Sequence, residues 1–164
     1  MSLSIIQLSP SDGKEIYEML QTIQADENEF KNTAYGLTYD AYKEWLLEQD
    51  AWSRGMNLPD GYVPQIIYWL LADGVPAGIG KIRMGLNAHS RAIGGNIGYA
   101  IALPHRGKGY ATAFLRMLLE KANEHGVSEK LLTVEKYNPA SRKVIEKNGG
   151  IMIKENEERW FFTF

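Results

Sequence analysis

The sequence predicts an α/β chain, α+β in some schemes, with a mixed, twisted sheet of about seven strands and four flanking helices. Two observations predict it. The β-branched and aromatic runs Gln65 to Ala72 and Val75 to Leu86 flank Asp73-Gly74, a hairpin turn pair, so two strands are antiparallel neighbours. Gly109 to Glu124 repeats its apolar residues at helical spacing and sits between two strand-like segments, which makes a strand-helix-strand crossover. Hairpins and a crossover in one chain require a mixed sheet.

The elements follow in order. Ser4 to Leu8 is a short apolar strand ending at Ser9-Pro10-Ser11-Asp12, where capping side chains and a first-turn proline announce a helix carrying Ile16, Met19, Leu20 and Ile23 on one face. Asp26 to Thr33 is a polar connection. A second helix runs from Tyr39 to Gln49 on the stripe Tyr42, Trp45 and Leu46, and the two glycines and two prolines of Arg54 to Pro64 mark a loop. After the hairpin, the glycine-rich connection Asn87 to Gly95 leads to a strand over Asn96 to Leu103, with Ile97, Tyr99 and Ile101 alternating. The helix from Gly109 presents Phe114, Leu115, Leu118 and Leu119 and stops at His125-Gly126. Lys130 to Glu135 is a strand, Asn138-Pro139 caps a helix over Ala140 to Asn148, and the strands Ile151 to Asn156 and Glu158 to Phe164 end the chain.

Composition narrows the function. The 164 residues fit one domain spanning 1–164, and 45% hydrophobic content supplies a sizeable core. With 18 basic and 20 acidic residues, the net charge of -2 gives no overall positive field for a nucleic acid or an anionic membrane. No run approaches the ~20 apolar residues of a membrane span. The lack of cysteine removes disulfides, thiolate zinc sites and a Cys nucleophile, and suits a reducing cytoplasm. His89, His105 and His125 are scattered without metal-ligand spacing, so no metal is expected.

The informative segment is Arg106-Gly107-Lys108-Gly109-Tyr110-Ala111, which joins a strand to a helix with two glycines and two cations. Glycines let the backbone turn with its N–H groups inward, and the helix start contributes about half a positive charge, so the turn suits a phosphate. The plainer reading is an ordinary glycine-containing turn. Other phosphate fingerprints fail: Gly80-Lys81 lacks the Ser or Thr of a Walker loop, and no G-x-G-x-x-G occurs.

In this loop the sequence resembles the GNAT family of acyl-CoA-dependent N-acetyltransferases, whose signature is R/Q-x-x-G-x-G/A; Arg106, Gly109 and Ala111 match it. The order of elements is similar across nearly the whole chain, most closely from Gly95 to Gly150. The resemblance implies a GNAT-like acyltransferase fold in which the amides of Arg106, Gly107, Lys108, Gly109, Tyr110 and Ala111 hold the pyrophosphate of acetyl-CoA. It implies that the strand ending near Ile101 pairs with the pantetheine arm and offers an amide to the thioester oxygen. Asn138 and Ser141 fill the places of the family's Asn after the fifth strand and the small residue that follows; helix capping explains them equally well. Arg142, Lys143 and Lys147 are candidates for the 3'-phosphate, or solubilise their helix face.

Two positions depart from the family. Ile145 replaces the tyrosine that protonates the departing thiolate in many relatives, leaving Tyr137 or Tyr99 as substitutes. Asn96 is the only polar candidate in the strand where some relatives carry a carboxylate base. A free amine with pKa near about 10.4 must lose a proton before it attacks. Glu135, acting directly or through water, is the leading base; the plainer reading is a solvated strand-end charge. Asp26, Glu27 and Glu29 form either a rim for a cationic amine or, more simply, a solvated acidic loop. The aromatic group Trp45, Trp52, Tyr62, Tyr68 and Trp69 is read as mostly core. The function implied is direct acetyl transfer to a primary amine; the alternative is a non-catalytic acyl-CoA-binding regulatory module, with Ile145 and Asn96 recording lost catalysis. The resemblance also implies a homodimer, with exposed Trp160-Phe161-Phe162 as the first candidate interface.

Overall fold

The computed structural model describes residues 1–164. Strand β1 (Leu3–Gln7) lies at the edge of an antiparallel sheet, followed by β4 (Gln65–Ala72), β5 (Val75–Arg83) and β6 (Ile97–Ile101). A second antiparallel sheet has β9 (Arg159–Thr163) between β7 (Leu131–Glu135) and β8 (Ile151–Glu155). Between β1 and β4 in sequence, β2 (Asp26–Glu27) and β3 (Phe30–Lys31) make a small ribbon. The helices are α1 (Lys14–Leu20), α2 (Tyr39–Ser53), α3 (Ala88–Ala92), α4 (Tyr110–Glu124) and α5 (Pro139–Lys147).

The central pair β4–β5 is covered on both faces. Ile66, Tyr68 and Leu70 pack with Phe114, Leu115 and Leu118 of α4, whereas Ile67, Trp69 and Ile79 pack with Leu20, Ile23, Tyr42 and Leu46 on the side of α1 and α2. Burial on both sides is why Gln65 to Ala72 reads as a nearly continuous apolar run instead of an alternation. The α+β class holds, with nine strands and five helices where the sequence indicated about seven and four.

The additional elements are short. Strands of two residues carry no alternation, so β2–β3 reads as a polar connection. Its turn residues Asn28 and Glu29 both have positive φ, 49° and 73°, the conformation of a tight two-residue hairpin. Helix α3 hides in the Asn87 to Gly95 connection and is fixed by a capping box between Asn87 and Ser90. Helix α1 starts at Lys14, not near Pro10, because the Asp12 carboxylate is engaged elsewhere: Oδ2 accepts from the Ser9 amide at 2.8 Å and from the buried Trp69 indole at 2.7 Å.

The hydrogen-bonded ladders are all antiparallel, and β6 and β7, expected side by side in one mixed sheet, share no ladder. Their meeting point is Asn96, which is fully buried. Its amide donates to Leu131 O at 3.0 Å, its Oδ1 accepts from Leu131 N at 2.8 Å, and its Nδ2 donates to Glu129 O at 2.7 Å. A Cβ on the preceding Gly95 would lie 1.9 Å from Leu131 O, so only glycine lets the strands close here. Beyond this joint, neither strand hydrogen-bonds to the other.

The C-terminal patch differs from expectation. Phe161 and Phe162 are 2% and 1% exposed and Trp160 is half-buried, because β9 is the middle strand of its sheet. The homodimer implied by the resemblance therefore loses this patch as its interface; the exposed apolar residues belong instead to the edge strand β8, at Ile151, Met152 and Ile153.

Asn96→Ala strands a buried N–H at Leu131 and a carbonyl at Glu129. The expected loss is about 2–4 kcal/mol, read from urea unfolding. A variant within about 0.5 kcal/mol of wild type, the range of an ordinary surface change, would contradict the assignment of Asn96 as the joint.

Candidate functional site

The opening between β6 and β7 is bordered by the N-terminus of α4. Gly107 and Gly109 have φ of 74° and 77°, a left-handed conformation that turns the chain sharply into the helix. The amides of Gly107, Lys108, Gly109, Tyr110 and Ala111 find no acceptor within the chain, and no side chain caps the helix. Such orphan donors, aligned with the helix dipole, are an anion site. A Cβ on either glycine would meet nothing within 4 Å, so the turn faces open space. The two cations divide their roles. The Arg106 side chain is already engaged: Nε donates to Ile101 O at 2.9 Å and Nη2 lies 3.1 Å from Glu27 Oε1, bracing the loop. Lys108 makes no ion pair, and its ammonium lies 6.0 Å from the Tyr110 ring. Tyr110 buries its ring in the core and offers only its amide.

Helix α5 packs beside α4 and borders the opening on the same side. The Asn138 side chain accepts from the Ser141 amide at 3.3 Å and caps the helix. The Ser141 hydroxyl lies 3.1 Å from the hydroxyl of Tyr99, so a hydroxyl pair bridges β6 and α5. Burial raises the Tyr99 pKa, and the Ser141 hydrogen bond partly offsets this.

The acidic segment is not a solvated loop. Glu27 reaches the α4 turn through Arg106, and both carboxylate oxygens of Glu29 bond the guanidinium of Arg159 on β9. Glu135, at the end of β7, lies 3.5 Å from the same guanidinium. The Arg159 side chain is 8% exposed, and those of Glu29 and Glu135 are 20% and 21% exposed. Burial, then the hydrogen bond and negative charge of Glu29, raise the pKa of Glu135 against the pull of Arg159. Burial also pushes Glu29 up, but its bonds to Arg159 outweigh this and hold it below the usual carboxylate value. On the sheet side, buried Lys81 donates to Lys31 O at 2.6 Å and sits 4.7 Å over the Phe30 ring. The β2–β3 ribbon thus ties the α4 turn, the first sheet and the second sheet together around the opening.

A family model described as an acetyltransferase (GNAT) domain matches residues 2–151. The chain belongs to the GNAT acetyltransferase family. No curated protein matches it in sequence. Among solved structures, a GNAT acetyltransferase from Streptococcus pneumoniae is 18% identical, with 99% of each chain covered and a TM-score of 0.65. RimL, the ribosomal L7/L12 alpha-N-protein acetyltransferase in complex with coenzyme A, is 12% identical over 100% of this chain and 94% of its own, with a TM-score of 0.72. Mutant forms of the spermidine/spermine N-acetyltransferase SpeG from Vibrio cholerae are 16% identical over 99% and 95%, with a TM-score of 0.62. At these identities the likeness carries the fold.

The remaining positions of this GNAT chain can be placed. Ile145 is buried in the core. Tyr137 is 64% exposed on the turn after β7; slight burial and then the carboxylates Glu135, Glu29 and Asp26 raise its pKa. Arg142 is unavailable as a free phosphate ligand: it bonds Glu146 at 3.2 Å and stacks 4.5 Å over the Trp160 ring. Lys143 and Lys147 are exposed. Ile101 ends β6, half-buried, with its carbonyl taken by Arg106. Sequence reasoning missed Lys81 and Arg159, and gave Glu29 no contact with Glu135. No group of His, Asp or Glu is arranged to hold a metal ion, and no helix is long and apolar enough to cross a membrane.

Lys81 supplies a test of the ribbon's anchor. Burial first, and Arg83 second, pull its pKa down to about 7, against about 10.4 in an unfolded chain. Between those values the unfolded state binds more protons, so Lys81 makes the folded state gain stability as pH rises from 7 to 10. Urea unfolding of wild type and Lys81→Met across this range should show the difference moving in favour of wild type with rising pH. A pH-independent difference would mean that Lys81 is not held in a buried environment.

Proposed function

We propose that this GNAT protein transfers the acetyl group of acetyl-CoA to a primary amine by direct attack in a ternary complex. The observation that carries the reading is the set of unpaired amides at the start of α4 beside strands β6 and β7, which share no ladder with each other. The free amides of Gly107, Lys108, Gly109, Tyr110 and Ala111 surround the pyrophosphate and Lys108 adds charge, whereas the Arg106 amide, counted with them in the sequence, is spent on Leu103 O. The pantetheine arm lies in the opening along Ile101, with Asn138 and Ser141 on the α5 side. RimL's complex with coenzyme A supports a ligand of this class.

At the thioester, the amine nitrogen attacks the carbonyl carbon, its proton passes to Glu135, and the C–S bond breaks to leave a thiolate. Glu135 suits this role because its surroundings favour holding a proton. Of the tyrosines able to protonate the thiolate, Tyr99 is better placed than Tyr137: its hydroxyl bridges β6 and α5 at the opening, whereas Tyr137 stands largely in solvent. A chain without cysteine has no thiol to carry an acyl intermediate, which agrees with direct transfer.

Thiol release from acetyl-CoA across a panel of amines tests the reading. Release with one amine class is expected. Gly109→Trp should abolish it while raising the CoA Kd at least about tenfold by calorimetry, about 1.4 kcal/mol. Glu135→Gln should lower kcat by about 10²-fold or more with little change in CoA affinity. CoA binding without release to any amine would support the non-catalytic acyl-CoA-binding module instead.

A further inference from the structure

We propose that Glu29 is a positioning residue for Glu135, the two carboxylates being held together on the single guanidinium of Arg159 so that they act as a pair. This rests on the reading of Glu135 as the base. Nη2 of Arg159 bonds Glu29 Oε2 and also lies 3.5 Å from Glu135 Oε1, so one nitrogen is shared by both acids. Glu29 and Arg159 are 130 positions apart in the chain, and the contact joins the ribbon to the second sheet.

Two features show that Glu29 is held there and not merely nearby. Its backbone has φ of 73°, the left-handed conformation that the tight turn imposes and that a residue other than glycine adopts under strain, and the side chain so presented is the one that bonds Arg159. The ribbon that carries it is anchored on other sides by Lys81 to Lys31 O, by Glu27 to Arg106, and by Phe30, whose ring lies 3.5 Å from where a Gly98 Cβ would be.

The charges around Glu135 set the consequence. The ribbon contributes Glu29, Asp26 and Lys31, the last two paired with each other; β9 contributes Arg159; and the turn after β7 contributes Tyr137. Lys136 is drawn away to Glu155 at 2.7 Å. One cation between two carboxylates leaves a net negative pair, which takes up one proton more readily than an isolated acid. Burial and Glu29 raise Glu135 while Arg159 holds Glu29 low, so that proton goes to Glu135. The arrangement brings a carboxylate closer to the pH at which a general base works best.

Removing the Glu29 charge leaves Glu135 with Arg159 alone, so its proton should be lost at lower pH. The test is a ¹³C NMR titration of the Glu135 carboxyl in wild type, Glu29→Gln and Glu29→Gly, together with the pH profile of kcat/KM. Both variants should lower the Glu135 midpoint and the acid limb of the profile by at least about 0.5 pH unit. Glu29→Gly relieves the backbone strain but gives up the pair with Arg159, so a purely structural role predicts a changed unfolding stability with an unmoved midpoint. An unmoved midpoint in both variants overturns the proposal. A shifted NMR midpoint in a protein that acetylates no amine would sustain the pairing and overturn Glu135 as the base, which separates the two failures.

Discussion

The architecture depends on the joint at Asn96. One side chain and one amide bind β6 to Leu131 and Glu129, and past that point the strands stay unpaired. A buried strand edge with unmet backbone groups is costly, so an opening of this kind must be lined by other elements or filled by a ligand. Here α4 and α5 line it on one side and the β2–β3 ribbon on the other. The joint fixes where the opening begins, and the α4 turn places its free amides at the border.

The ribbon explains why the charged residues of this region are nearly all paired. Glu27, Glu29 and Lys31 each reach or support a different structural unit: the α4 turn, the second sheet and the buried Lys81. Exposed ion pairs contribute little to stability, but Arg159 is buried and would be costly to leave unpaired. The same pairs that fasten the ribbon place a carboxylate beside Glu135. A region read from sequence as a solvated acidic loop is therefore both a fastening and part of the candidate acceptor side.

Much of the fold was legible because its signals are periodic. The α4 stripe of Phe114, Leu115 and Leu118, the Asp73-Gly74 hairpin and the Asn138 cap were each read from local pattern, and the GNAT loop stood out through two glycines before a helix. What stayed hidden was non-local or too short to repeat. Two-residue strands have no period, and the pairing of Glu29 with Arg159 spans 130 positions. Asp12 looked like a helix-start acid but serves Trp69, and Trp160-Phe161-Phe162 looked exposed because a terminal strand in sequence is here a central strand in space. Within the loop, residue types indicated an anion site, but only the structure showed that Arg106 spends its side chain on Ile101 and Glu27.

The most direct measurement is an amide-resolved NMR titration with CoA. The account predicts that the N–H signals of Gly107, Lys108, Gly109, Tyr110 and Ala111 move together and saturate with the ligand, as donors to a pyrophosphate do. CoA binding that leaves these signals in place while others shift, or no binding at all, would contradict the assignment of the α4 turn as the phosphate cradle.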